Sequence, residues 1–194
     1  MDRFDIDTAQ DIYYWAKSKR NEIELAFNMK GGWEAWLQVE LALWLGTKPN
    51  VASVMREQHV YTDGSQAVDL IVTNTNDVRN MIELKCESIN QDCNIINGQV
   101  VSKKSYRGVN YVSPKIPSIA KRLEVECNRK DKVAPSNQPY QYTVIGMSLT
   151  QEAHDFVNAE HDSNRLYFLP LTAQKLGGAP DNFCLWYKSY MDHV

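Results

Sequence analysis

The chain has no apolar run approaching the ~20 residues of a membrane-spanning helix; its longest lies around Leu41–Leu45. None of the four cysteines (Cys86, Cys93, Cys127 and Cys184) forms a CxxC pair, and the four histidines are scattered. That spacing excludes the common structural zinc sites and leaves reduced thiols as the expectation. There is no Asn-x-Ser/Thr sequon, repeat or low-complexity tract. The opening residues, MDRFDIDTAQ, are acidic and polar, without the basic and apolar regions of a secretory or transit signal. These absences together set the expectation of a cytoplasmic protein with no membrane partner.

The 194 residues, 43% hydrophobic and 23% charged, suit a single domain over 1–194, large enough to bury a sizeable core. Net charge is −3, yet it is unevenly spread. Residues 99–134 hold nine Lys/Arg against three acids, a local charge of +6 that leaves −9 for the remainder. A basic stretch on an acidic body is the footprint of a polyanion-binding face. A solvated loop and helix surface explains it equally well at this point.

Periodicity predicts a helix over 8–28, capped by Asp7 or Thr8, and a second over 33–46, WEAWLQVELALWLG. Apolar residues wrap most of the second helix, which predicts burial on several sides. Glu40 falls within that apolar arc between Trp36 and Trp44, and Glu34 lies at its edge. A buried glutamate needs a partner, and an internal salt bridge or backbone bond would satisfy it as well as a site would. Three strands follow: VASVMREQHVYT, AVDLIVTN after the Asp63-Gly64 turn, and NMIELKCES. They read as an antiparallel meander. Residues 89–118 are polar and contain Pro114 and Pro117, predicting a long basic excursion. A basic helix, IPSIAKRLEVECNRK, and a fourth strand, YQYTVIGMSLT, come next. A short helix over 151–160 and the hydrophobic segments LYFLPL and FCLWYKSY complete the order. That order indicates an α/β protein, a central mixed β-sheet flanked by helices, with its core over 31–150.

Within MIELKCES, the apolar Ile82, Leu84 and Cys86 alternate with Met81, Glu83, Lys85 and Glu87, so one face carries charge. Asp69 lies fourteen residues earlier in VDLIV, close enough for a strand pair to fold it back beside Glu83. Glu57 and Glu87 are weaker candidates, each explained by a surface pair or strand-end solvation. Clustered carboxylates suit a hard divalent cation, and a neighbouring lysine can orient water or stabilise charge on a phosphate.

Asp69 followed by Glu83-Leu84-Lys85, behind a helix bearing Glu34 and Glu40, resembles the PD-(D/E)xK nuclease superfamily. The wider pattern fits as well, with E-x-x-x-Q at Glu34–Gln38, Arg56-Glu57 in the first strand, then D-L-I-V and I-E-L-K. The family's proline before the aspartate is Val68 here. The resemblance covers residues 31–88 by motif and 118–150 by element order. It implies a restriction-endonuclease-like fold and Mg2+-dependent phosphodiester hydrolysis leaving a 5′-phosphate, with Mn2+ as a substitute ion and DNA ahead of RNA as substrate. By the same resemblance Asp69, Glu83 and the Leu84 carbonyl would hold the metal. Lys85 would position the attacking water, and either Glu34 or Glu40 would complete the site. Pattern favours Glu34 and the helical wheel favours Glu40. Lys121, Arg122, Arg129 and Lys130 would meet the nucleic-acid backbone, joined from the excursion by Lys103, Lys104 and Arg107, each phosphate contact adding affinity without reading sequence. Tyr106 and Tyr111 could stack on bases or simply pack. A homodimer, or a place in a larger complex, fits a chain without a separate recognition domain. The alternative is a non-catalytic nucleic-acid-binding or structural protein that keeps this fold.

Overall fold

The computed structural model describes residues 7–27, 33–87, 94–96, 99–101, 119–137, 140–149, 167–170 and 183–191. Helices α1 (Asp7–Ser18) and α2 (Arg20–Phe27) occupy the stretch for which the sequence predicts one helix. The Ser18 hydroxyl donates to the Trp15 carbonyl at 2.7 Å, and the Lys19 amide is shared between the Trp15 and Ala16 carbonyls at 3.1 Å each. This local competition for backbone groups tightens the last turn of α1 and separates it from α2.

Helix α3 (Glu34–Leu45) precedes an antiparallel meander of β1 (Val51–Gln58), β2 (Val68–Asn74) and β3 (Arg79–Cys86). The β2–β3 turn is held by the Asn74 side chain, whose Oδ1 accepts the Asn76 and Val78 amides at 2.9 Å each. A two-stranded hairpin, β4 (Asn94–Ile96) with β5 (Gln99–Val101), stands apart from the main sheet. Helix α4 (Ile119–Arg129) then leads to β6 (Gln141–Ser148), which runs parallel to β3 from Asn80↔Gln141 to Cys86↔Met147. Strand β8 (Cys184–Met191) pairs antiparallel with both β6 and β7 (Tyr167–Pro170). Among the described residues the sheet is therefore mixed and six-stranded, ordered β1-β2-β3-β6-β8-β7. This is an α/β protein, as the element order predicts. The helix predicted over 151–160 lies outside the described residues, as does most of the excursion over 89–118.

Both sheet faces are covered. One core joins α1, α2 and α3 to the sheet through residues such as Ile12, Leu37, Leu41, Leu70, Leu84 and Met147. The other lies under α4, where Leu123 and Cys127 meet Met81, Tyr142, Val144 and Trp186. Helix α3 is not buried all round, contrary to expectation: Leu37, Gln38, Leu41 and Leu45 face inward, while Val39 and Leu43 stand exposed at 38% and 66%. A helix lying on one sheet face buries only the stripe that touches it. Gly146 lets α4 approach closely. A Cβ there would sit 2.8 Å from Leu123 Cδ1, so a side chain on β6 would force the Leu123 side chain to shift. No helix among the described residues is long and apolar enough to cross a membrane.

Candidate functional site

The pairing of β2 with β3 runs from Thr73↔Arg79 to Leu70↔Ile82 and stops there, one residue short of Asp69 and Glu83. Beyond it the amides on that side of β3 lack a strand partner, and buried backbone donors require one. Carboxylates take them instead. The Leu84 amide donates to Asp69 Oδ2 at 2.6 Å, and the Cys86 amide to Glu34 Oε2 at 2.9 Å. The strands part, and side chains from β2 and α3 close the gap.

Asp69 is further fixed by Gln38, whose Nε2 donates to Oδ1 at 2.7 Å, while Arg56 Nη2 donates to Gln38 Oε1 at 3.0 Å. Gln38 and Arg56 enter the sequence reading only as parts of a pattern; here they orient the aspartate. Glu57, next to Arg56, is exposed and adopts φ 52, a left-handed conformation uncommon outside glycine. Its carboxylate pairs with Arg56 at 3.5 Å.

Glu83 is fully buried. Its Oε1 accepts a hydrogen bond from the Tyr61 hydroxyl, which lies 3.0 Å from that of Tyr142. Its Oε2 is buried, and the neighbouring Asp69 carboxyl is the hydrogen-bond partner it has when Glu83 is protonated. Burial, then the adjacent Asp69 charge, push the Glu83 carboxyl up to about 9, so it holds a proton at neutral pH. Asp69 is raised too, mainly by burial, with Lys85 opposing.

Lys85 Nζ lies 2.8 Å from the Leu84 carbonyl and 3.2 Å from Glu34 Oε1. Burial pushes its ammonium down, but Glu34, Asp69, Glu126 and Glu83 outweigh that and carry it above the ordinary lysine value. It stays charged. Of the two helix glutamates left open by the sequence, Glu34 joins the cluster. Half-buried Glu40 has no hydrogen bond or ion pair among the described residues. A helix wrapped in apolar residues gives no clear stripe, so the wheel alone could not orient it.

Helix α4 and the residue after it carry side chains for which the resemblance implies phosphate contact. Arg122 donates to the Cys86 carbonyl at 3.1 Å and pairs with Glu34 at 3.3 Å. Arg129 lies 2.8 Å from Glu126 and 3.7 Å from Glu83. Lys130 pairs with Asp131, and its Nζ stands 5.3 Å from the Tyr190 ring centre. Lys103, Lys104, Arg107, Tyr106, Tyr111 and the Lys121 side chain lie outside the described residues. Glu87 is buried rather than solvated; its Oε2 accepts the Leu149 amide at 2.7 Å, and its carbonyl accepts Trp33 Nε1 at 2.6 Å.

Sequence reasoning missed Glu126, Tyr61 and Tyr142. Glu126 was findable, since it lies three residues after Leu123 and next to Cys127 on the apolar side of α4. The tyrosines gave no local signal.

The described residues contain no group of three or more His, Cys, Asp or Glu arranged to hold a metal. Two carboxylates and a carbonyl, from Asp69, Glu83 and Leu84, nevertheless suit Mg2+, which binds few protein oxygens and keeps waters or phosphates. The adjacent carboxyls of Asp69 and Glu83 hold each other's charge off through a shared proton, and such an ion would take that proton's place. No protein-family model matches the chain, and comparison with curated proteins and with solved structures finds no match.

Proposed function

We propose that the chain is a Mg2+-dependent nuclease of restriction-endonuclease-like fold, a cytoplasmic enzyme hydrolysing phosphodiester bonds, DNA ahead of RNA. The observation that carries this reading is the parting of β2 and β3. It gathers Asp69, Glu83 and Lys85 with Glu34 at one sheet position.

Asp69, Glu83 and the Leu84 carbonyl would hold the ion, which when bound polarises the phosphate and lowers the pKa of water. Asp69 is kept in place by Gln38 and the Leu84 amide. Glu83 surrenders its proton when it serves as a ligand. Lys85, charged at neutral pH, donates hydrogen bonds to the attacking water or to developing phosphate charge. It is not the group that accepts the water's proton. Glu34 fixes both Lys85 and the strand behind it.

The second reading, a non-catalytic protein that keeps this arrangement, is favoured by one feature: Lys85, Arg122 and Arg129 all pair internally with the site's own carboxylates. Incubation with supercoiled plasmid and with single-stranded RNA, in Mg2+, Mn2+ or EDTA, separates the two. A nuclease cuts one substrate with metal and loses cutting in a folded Lys85→Ala variant. A folded wild type that shifts nucleic acid in a gel with EDTA, yet never cuts, is a binding protein.

A further inference from the structure

Helix α4 carries Arg122, Glu126 and Arg129 at i, i+4 and i+7, one stripe along its surface. The stripe faces the open end of β3, where Arg122 bonds the Cys86 carbonyl and Arg129 approaches Glu83. Leu123 and Cys127 beside it seal the second core, and Gly146 allows that seal to be tight. An apolar residue at 126 would extend the seal without the desolvation that a carboxylate suffers. The chain instead places there a glutamate that is 3% exposed.

That glutamate has two charged partners, Arg129 at 2.8 Å and Lys85 at 3.6 Å. The Lys85 ammonium has three N–H donors. The Leu84 carbonyl at 2.8 Å and Glu34 at 3.2 Å take two of them. Glu126 Oε1, at 3.6 Å, is the remaining carboxylate within ion-pair range of Nζ among the described residues. Glu34 comes from α3, which packs on one sheet face, and Glu126 from α4 on the other. With the lysine's own strand, this fixes the amine from three directions. The Glu126 contact is longer than a hydrogen bond, so the third N–H can be shared with a reacting oxygen while both short bonds survive.

We infer that Glu126 is a positioning residue for Lys85, acting through its charge, with Arg129 anchoring the carboxylate from behind. The inference rests on the nuclease reading and deepens it. Its test uses the full chain as wild type, Glu126→Gln, which keeps shape and removes charge, and Glu126→Asp, which keeps charge and shortens reach. Cleavage kinetics in Mn2+ on the plasmid or RNA, Mn2+ affinity by titration calorimetry and melting by circular dichroism are measured for each. Misplacing a reacting group by about 1 Å can cost on the order of 100-fold. Glu126→Gln is therefore expected to lower kcat by roughly that factor, with KM and Mn2+ affinity within about twofold, and Glu126→Asp to recover part of the loss.

A Glu126→Gln protein that cuts like wild type overturns the inference alone. So does a kcat loss matched by an equal loss of Mn2+ affinity, or two variants that no longer fold, since either makes Glu126 a metal or structural residue. A wild type that cuts neither nucleic acid overturns the nuclease reading and this inference together.

Discussion

The two faces of the sheet are held by different physics. Under α1, α2 and α3 the buried surface is almost wholly apolar, with Ile12, Ile23, Leu37, Leu41, Leu70 and Leu84 inaccessible to solvent. Under α4 the core is smaller, and beside its apolar residues lie the buried Glu83, Glu126 and the hydroxyls of Tyr61 and Tyr142. Apolar burial needs only shape and area. Buried carboxylates need partners in fixed positions, and they stabilise less than well-packed hydrocarbon would. The first face therefore supports the fold, and the second spends some of that stability on holding charges in a chosen arrangement.

Three experiments bear on that contrast. The largest effect belongs to the apolar face. Leu41→Ala, emptying a fully buried position on α3, should cost about 2–5 kcal/mol by denaturant titration. A loss below about 1 kcal/mol would mean that face is not what holds the protein together.

Next comes Gly146→Ala, whose added methyl meets Leu123. Overpacking of this kind costs about 1–3 kcal/mol, and a second change, Leu123→Val, should recover part of it. If the double variant is no more stable than the single, the close approach of α4 is not set at this contact.

The smallest effect, below about pH 4.5, belongs to Glu83→Gln. There the carboxyl, raised from 4.5 to about 9 on folding, carries a proton in both the folded and the unfolded chain, so the amide replaces a neutral group and the change should stay within about 1 kcal/mol. At higher pH the variant, which takes up no proton on folding, should become the more stable of the two. The pH dependence is more telling. A folded-state pKa raised above the unfolded one adds stability that is complete below about 4.5 and fades as pH climbs towards 9. The slope is at most about 1.4 kcal/mol per pH unit. Melting curves from pH 5 to 9.5 should fall more steeply for wild type than for Glu83→Gln. Parallel curves would show that Glu83 is ionised throughout.

How much of this was legible beforehand follows the same division. The meander announces itself through alternation and through turn chemistry at Asp63-Gly64 and Asn74, and element order indicates a mixed sheet flanked by helices, while the parallel pairing of β6 with β3 emerges only in the structure. The legible features are local patterns with a period. The charged face is set by register and by which residues meet across elements far apart in the chain. Arg122 and Arg129 enter the sequence reading as phosphate contacts implied by resemblance, because nothing near them in sequence shows that Glu34 and Glu83 lie opposite. Tyr61 and Tyr142 meet across 81 positions, a separation that no periodicity records. Glu34 and Glu40 could not be told apart until the helix axis was fixed against the sheet.

Where β2 leaves β3, two main-chain amides, those of Leu84 and Cys86, donate to carboxylates rather than to a neighbouring strand. Their resonances are thus wired to the electron density on the Asp69 and Glu34 carboxylates. In a nitrogen–proton correlation spectrum these two peaks would act as internal electrometers, moving with any cation that engages either carboxylate while the amides of the closed end of the ladder stay still.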